Sequence, residues 1–139
     1  IPLPDGAFCF SPWLDLTMSG ESIVRNRSKD GIIGNSPMSL YARAYAGETD
    51  VHHPWISPIF ANLNGLPPVL VQVSSSEVLF SDSQTFVDRA RKHGVRAELQ
   101  VFRGQVHVFQ AIPYILPEAD AALDRVRIWC HPPIAIPSG

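Results

Sequence analysis

Apolar residues fall into two kinds of run along this chain. The short runs AFCF (7–10), VLVQV (69–73) and RAELQVF (96–102) read as strands. VLVQV is apolar except for Gln72, as a central parallel strand buried on both faces should be. In 96–102, Ala97, Leu99 and Val101 alternate with Glu98 and Gln100, which suits a strand near the sheet edge. AFCF predicts a short buried strand ended by Ser11-Pro12.

The other runs repeat at helical spacing. Leu40, Tyr41, Ala44 and Tyr45 follow Ser36-Pro37, which predicts an N-cap serine, an N1 proline and a helix ended by Gly47. Ser81 and Gln84 have the form of a capping box, and Phe86, Val87 and Ala90 form the inward face of a helix stopped by Gly94. Pro117 opens a last helix, with Ala119, Ala122, Leu123, Val126 and Cys130 along one face. Residues 17–36 are polar and rich in Gly and Ser, which predicts loop. Residues 48–68 hold four prolines and predict an ordered connection without regular structure. The tail 132–139 is proline-rich and expected to fray. The order β, α, β, α, β, α implies an α/β fold, with parallel strands joined by right-handed crossovers. Three strands leave such a sheet incompletely covered, so further strands are expected from outside the chain or from a partner.

Composition narrows the function classes. The chain has 139 residues, one domain's worth, of which 45% are hydrophobic and 17% charged. A net charge of −2 and scattered Lys and Arg argue against nucleic acid. No apolar run approaches a membrane span. The start IPLPDGAFCF lacks a basic n-region and a cleavage site, which predicts no signal peptide and a cytoplasmic protein. It also lacks an initiator Met, which suggests a processed or partial product. Cys9 and Cys130 are read as buried, reduced thiols; a disulfide would need the two to lie close in space, and a pair without CxxC gives no metal signal.

The chemistry-bearing residues cluster after two of the strands. Glu77 stands in SSSEVLF (74–80), directly after VLVQV, and His107 stands in GQVHVF (104–109), after the strand at 96–102. Active sites in open α/β sheets are built at the carboxyl ends of strands. A carboxylate that orients an imidazole is two-thirds of a nucleophilic triad. The bland readings are a carboxylate favoured by the dipole of the following helix and a loop histidine bonded to backbone. His52 and His53 are adjacent in an extended segment, point opposite ways and read as surface loop. His93 and His131 sit at helix C-termini, where an imidazolium favours the dipole. Trp13 and Asp15 either line a pocket or anchor their loop. Tyr41, Tyr45, Trp55 and Phe109 are either core or pocket wall.

Four segments in order resemble the hormone-sensitive-lipase family of α/β-hydrolases, particularly its bacterial carboxylesterases. They are SPWLDLTMSGES (11–22), WISPIFANLNGLPPVLVQV (55–73), SSEVLFSDS (75–83) and GQVHVFQ (104–110). The resemblance implies that Glu77 is the triad acid, where many members have Asp, and that His107 is the general base. It implies Trp13 and Phe109 as substrate-binding residues, acyl esters as substrates, and no metal or organic cofactor. The family's nucleophile lies in Gly-x-Ser-x-Gly and its oxyanion hole includes His-Gly-Gly; both would precede residue 1. The nearest approach, Gly20-Glu21-Ser22-Ile23-Val24, lacks the second glycine, and Ser22 is rejected as nucleophile. Residues 1–139 are therefore expected to be the C-terminal portion of a single α/β-hydrolase domain, inert alone and partnered by the amino-terminal part of the same enzyme. A homodimer through the strand at 96–102 is a further expectation. The runner-up is a non-catalytic binding or interaction domain on the same fold. A flavodoxin-like domain would need a phosphate-binding glycine loop after the first strand, and SPWLDLT offers none.

Overall fold

A computed structural model of the chain describes residues 2–131; the tail expected to fray lies outside the described residues. The strands are β1 (Ala7–Phe10), β2 (Val69–Ser74) and β3 (Ala97–Phe102), and the helices are α1 (Ser22–Arg25), α2 (Met38–Ala46), α3 (Phe80–Lys92) and α4 (Pro117–Cys130). Single 3₁₀ turns cover Pro58–Phe60 and Phe109–Ala111. The chain divides into two compact units, the first ending at Val108 and the second beginning at Phe109. Among the described residues no helix is long and apolar enough to cross a membrane.

The first unit is built on a parallel sheet of order β1-β2-β3. Every residue of β2 is buried, as expected of a strand hydrogen-bonded on both sides. Val69 and Val71 on one of its faces meet Phe86, Val87 and Ala90 of α3, with Leu63 and Val95 completing the cluster. Burying each of the larger side chains stabilises the fold by about 1.5–3 kcal/mol. Gln72, the one polar residue of the central run, is matched in register by Gln100 of β3, and its Nε2 donates to Gln100 Oε1 at 2.8 Å. β3 lies at one edge of the sheet, as expected, but its burial does not follow the alternation: Val101, placed with Ala97 and Leu99 on the apolar face, is exposed, and Gln100 of the polar face is half-buried.

Several local expectations are corrected. β1 is not a buried strand: it forms the other edge among the described residues, and Phe8 is half-exposed. Residues 17–36 are not plain loop, because α1 adds a helical turn and successive turns follow it. Pro37, not Ser36, is the N-cap of α2, and the Ser36 hydroxyl donates to Ile33 O instead. α2 buries Met38, Ala42 and Ala46 and exposes Leu40, Tyr41 and Tyr45, so the small side chains take the packed face. Ser81 does not cap α3; the N-cap is Leu79, and the Ser81 hydroxyl accepts from Ser22 N. Gly94 ends α3 at φ 76°, where a side chain would be strained.

In the second unit, α4 starts at Pro117 as predicted and buries Ala119, Ala122 and Val126. Cys130 is exposed and Cys9 half-buried, so both thiols are free but neither is a core residue.

Candidate active site

The carboxyl ends of β2 and β3 bring Glu77 and His107 together. β2 ends at Ser74 and the chain turns at once, with Glu77 N donating to Ser74 O at 3.2 Å and Ser75 N to Phe102 O at 2.8 Å. The Glu77 side chain is fully buried. His107 Nδ1 lies 2.7 Å from Glu77 Oε2. The other oxygen, Oε1, accepts from Ser74 N at 2.6 Å and from the Ser11 hydroxyl at 2.8 Å. An ionised carboxylate has only lone pairs to offer, so with Glu77 ionised the contact's proton is carried by Nδ1. Nε2, on the far side of the ring, makes no hydrogen bond among the described residues, and the imidazole keeps 22% of its side-chain surface exposed. The result is an oriented imidazole whose second nitrogen is free to accept a proton.

The segment predicted as plain loop supports the acid from behind. Ser22, Asn26 and Asp30 are buried and spaced i, i+4, i+8. Ser22 donates its hydroxyl to Val78 O at 2.5 Å. Asn26 Nδ2 donates to Glu77 O at 2.8 Å and to Ser75 O at 3.0 Å. Asp30 Oδ2 accepts from Val78 N at 3.0 Å. The polar i, i+4 repeat was the available signal, and it has the period of a helical face rather than of a loop. The buried Ser22 hydroxyl, committed to a carbonyl, agrees with its rejection as nucleophile.

Asp82, in the first turn of α3, ties down the segment after β1. Its Oδ2 accepts from Leu14 N at 3.0 Å and Asp15 N at 2.9 Å. Burial raises its pKa from 3.8 to about 6, against the lowering effect of those two donors and with a smaller push from the neighbouring Asp15. For Asp15 itself burial also pushes upward, but hydrogen bonds from Ser19 and Thr17 together outweigh it and hold the carboxyl below its usual value. Because the folded-state pKa of Asp82 is raised, the native state binds the extra proton between the unfolded and folded values. Stability from this group is therefore present at low pH and lost as pH rises through about 6. Between about pH 4.5 and about pH 7.5 the wild type is expected to lose about 2 kcal/mol relative to Asp82→Asn. Urea unfolding of both proteins at the two pH values checks this; parallel pH dependences would contradict it.

The other predicted residues are more dispersed. Trp13 is half-buried, donates its indole N–H to Asp15 O at 2.9 Å, and lines an apolar cleft of about 490 Å³ with Leu16, Tyr41, Tyr45, Trp55, Ile56 and Pro58. Phe109, expected to bind substrate, is instead fully buried and has no surface to offer one. His52 and His53 are exposed, His52 pairing with Asp50 at 2.9 Å. His93 caps α3 and its Nδ1 lies 2.8 Å from Arg89 O; His131 is the C-cap of α4. Among the described residues no cluster of three or more His, Cys, Asp or Glu is arranged to hold a metal ion.

Known proteins resemble this chain throughout most of its length. A family model described as "alpha/beta hydrolase fold" matches residues 1–111. The chain is 34% identical over 123 residues to an acetyl-hydrolase of Streptomyces hygroscopicus, covering 88% of this chain and 41% of that protein. It is 34% identical over 122 residues to an esterase of Acinetobacter venetianus, covering 87% of this chain and 40% of that protein. Among solved structures it is similar to a hormone-sensitive lipase from a metagenome library, at 35% identity and a TM-score of 0.88 over 92% of this chain and 44% of that one. An esterase from the bacterial hormone-sensitive lipase family is 38% identical, with a TM-score of 0.87 over 90% of this chain and 42% of that one. The chain thus spans about two fifths of the length of the relatives it matches.

Proposed function

The chain belongs to the α/β-hydrolase fold family, in its hormone-sensitive-lipase-like branch, and on that premise we propose that it carries the acid and base of a serine-type carboxylic ester hydrolase. The observation that carries this reading is the 2.7 Å contact between His107 Nδ1 and a Glu77 carboxylate whose other oxygen is already held by two donors. In the proposed reaction His107 Nε2 takes the proton of an attacking serine hydroxyl. Glu77 holds the imidazole in the tautomer with Nδ1 protonated and stabilises the imidazolium that forms. The same Nε2 then returns the proton to the leaving alcohol, and water repeats the cycle on the acyl-enzyme.

Residues 1–139 contain no Gly-x-Ser-x-Gly, and the serine of the closest segment is buried and bonded to Val78 O. The nucleophile and the oxyanion donors are accordingly proposed to come from polypeptide outside these residues, with this chain as the C-terminal portion of the hydrolase domain. Short acyl esters are the proposed substrate class, in line with the acetyl-hydrolase and esterase names of the relatives. The Trp13 cleft, one of several apolar-lined clefts, is proposed to take an acyl or alcohol group. The test is hydrolysis of p-nitrophenyl acetate and longer esters by the full-length protein and by residues 1–139 alone. Turnover by the former and none by the latter is expected. No turnover by a folded full-length protein would favour a non-catalytic binding domain instead.

A further inference from the structure

We propose that Ser11 is a positioning residue for the acid–base pair, its single hydroxyl clamping the loops that carry Glu77 and His107; this rests on the catalytic reading of that pair given above. Ser11 is the first residue beyond β1 and is 3% exposed. Its backbone N–H extends the strand ladder by donating to Gln72 O at 2.8 Å, which fixes its place beside β2. The hydroxyl then serves both sides of the site. It donates to Glu77 Oε1 at 2.8 Å and accepts from Val108 N at 3.2 Å. A serine hydroxyl has one proton to give and lone pairs to receive with, so both capacities are in use.

The two contacts constrain different things. On the acid, Ser11 and Ser74 N hold Oε1 from separate strand ends, so the carboxylate plane is set and Oε2 faces the imidazole. On the base, the Val108 N–H belongs to the peptide plane that begins at the His107 carbonyl carbon. Anchoring it fixes the orientation of that planar group next to His107. Both backbones are held where side chains are unfavourable: Ser11 has φ 47° and Val108, a β-branched residue, has φ 52°. Conformations of that kind persist where surrounding contacts over-determine them. Here one contact, Val108 N–H to Ser11 Oγ, joins the two strained residues to each other. Sixty-six residues separate Ser11 from Glu77 and ninety-seven separate it from Val108, so the clamp exists only in the folded sheet.

The test uses the full-length protein labelled with ¹⁵N-histidine. A low-field Nδ1–H resonance is expected, assigned to His107 by its loss in His107→Asn and to the pair by its loss in Glu77→Gln. Ser11→Ala should accelerate exchange of that proton with water, and of the Val108 amide, by about tenfold, the size expected for losing a hydrogen bond. Ser11→Gly relieves the positive φ while also removing the hydroxyl, so it should fold and give the same two accelerations. In both variants kcat should fall about tenfold while KM stays within about twofold, as for an interaction that matters in the transition state. Both exchange rates unchanged in Ser11→Ala and Ser11→Gly, with the resonance still lost in Glu77→Gln, would overturn the clamp and leave the pair standing. An effect in Ser11→Ala that is absent in Ser11→Gly would also overturn it, since backbone strain and not the hydroxyl would then be the cause. A His107 resonance indifferent to Glu77→Gln would remove the acid–base reading itself.

Discussion

His107→Ala in the full-length protein is expected to lower kcat for p-nitrophenyl acetate by about 10⁴-fold or more. In the proposed reaction the His107 imidazole takes a proton from a serine hydroxyl and returns it to the leaving alcohol. Nδ1 contacts Glu77 at 2.7 Å, so Nε2 is the nitrogen proposed to move the proton. Alanine removes the base and leaves only whatever binding and oxyanion stabilisation the rest of the enzyme supplies. Glu77→Gln should cost somewhat less, about 10³–10⁴-fold, because the histidine remains but loses the acceptor that fixes its tautomer. The amide can present N–H to the ring and favour the wrong tautomer. The order of the two losses is part of the expectation. Initial-rate kinetics with active-site titration separates lost turnover from lost protein. Activity within about tenfold of wild type in either variant would overturn the role given to that residue.

Gly34→Ala is expected to destabilise the fold by about 3 kcal/mol, the upper end of what overpacking usually costs. A Cβ at this position would stand 2.1 Å from Arg27 O and 2.5 Å from Asp30 O. Both neighbours are backbone and have no rotamer to yield. The segment that would have to move carries Asp30, whose carboxylate accepts from Ile32 N, Ile33 N and Val78 N. Val78 follows Glu77 directly, so the displacement reaches the acid loop and activity should fall along with stability. Gly31, three residues earlier, is the control: a Cβ there meets nothing within 4 Å. Gly31→Ala should therefore stay within about 0.5 kcal/mol of wild type, as surface substitutions usually do. Urea unfolding of the three proteins decides the matter; equal midpoints for Gly34→Ala and Gly31→Ala would contradict the steric account.

What the sequence made legible was whatever periodicity and strand ends encode. β2 and α3 follow from VLVQV and from Phe86, Val87 and Ala90, because a wholly buried strand and its covering helix leave strong apolar signals. Glu77 and His107 follow from their places after strands, and they do meet. The misread features share a cause: polar side chains used for tertiary contacts look the same in sequence as polar side chains facing water. Ser36 and Ser81 have the composition of helix caps, yet Ser36 bonds Ile33 O and Ser81 is matched with Ser22 across the fold. Ser22, Asn26 and Asp30 read as loop composition, yet their buried groups hold the acid loop. Ser11 gave no local signal at all, since both of its partners are distant in sequence. On α2 the aromatic residues suggested the inward face, but Ala42 and Ala46 allow closer packing and take it instead.

The central claim, that Glu77 and His107 activate a serine supplied from beyond these residues, is tested most directly by covalent labelling of the full-length protein. A fluorophosphonate probe reacts with a serine only where a base makes its oxygen nucleophilic. Mass-spectrometric mapping of the adduct should place it on one serine outside residues 1–139, with labelling abolished in His107→Ala. An adduct on any serine within residues 1–139, or labelling that proceeds at the wild-type rate in His107→Ala, would contradict the account.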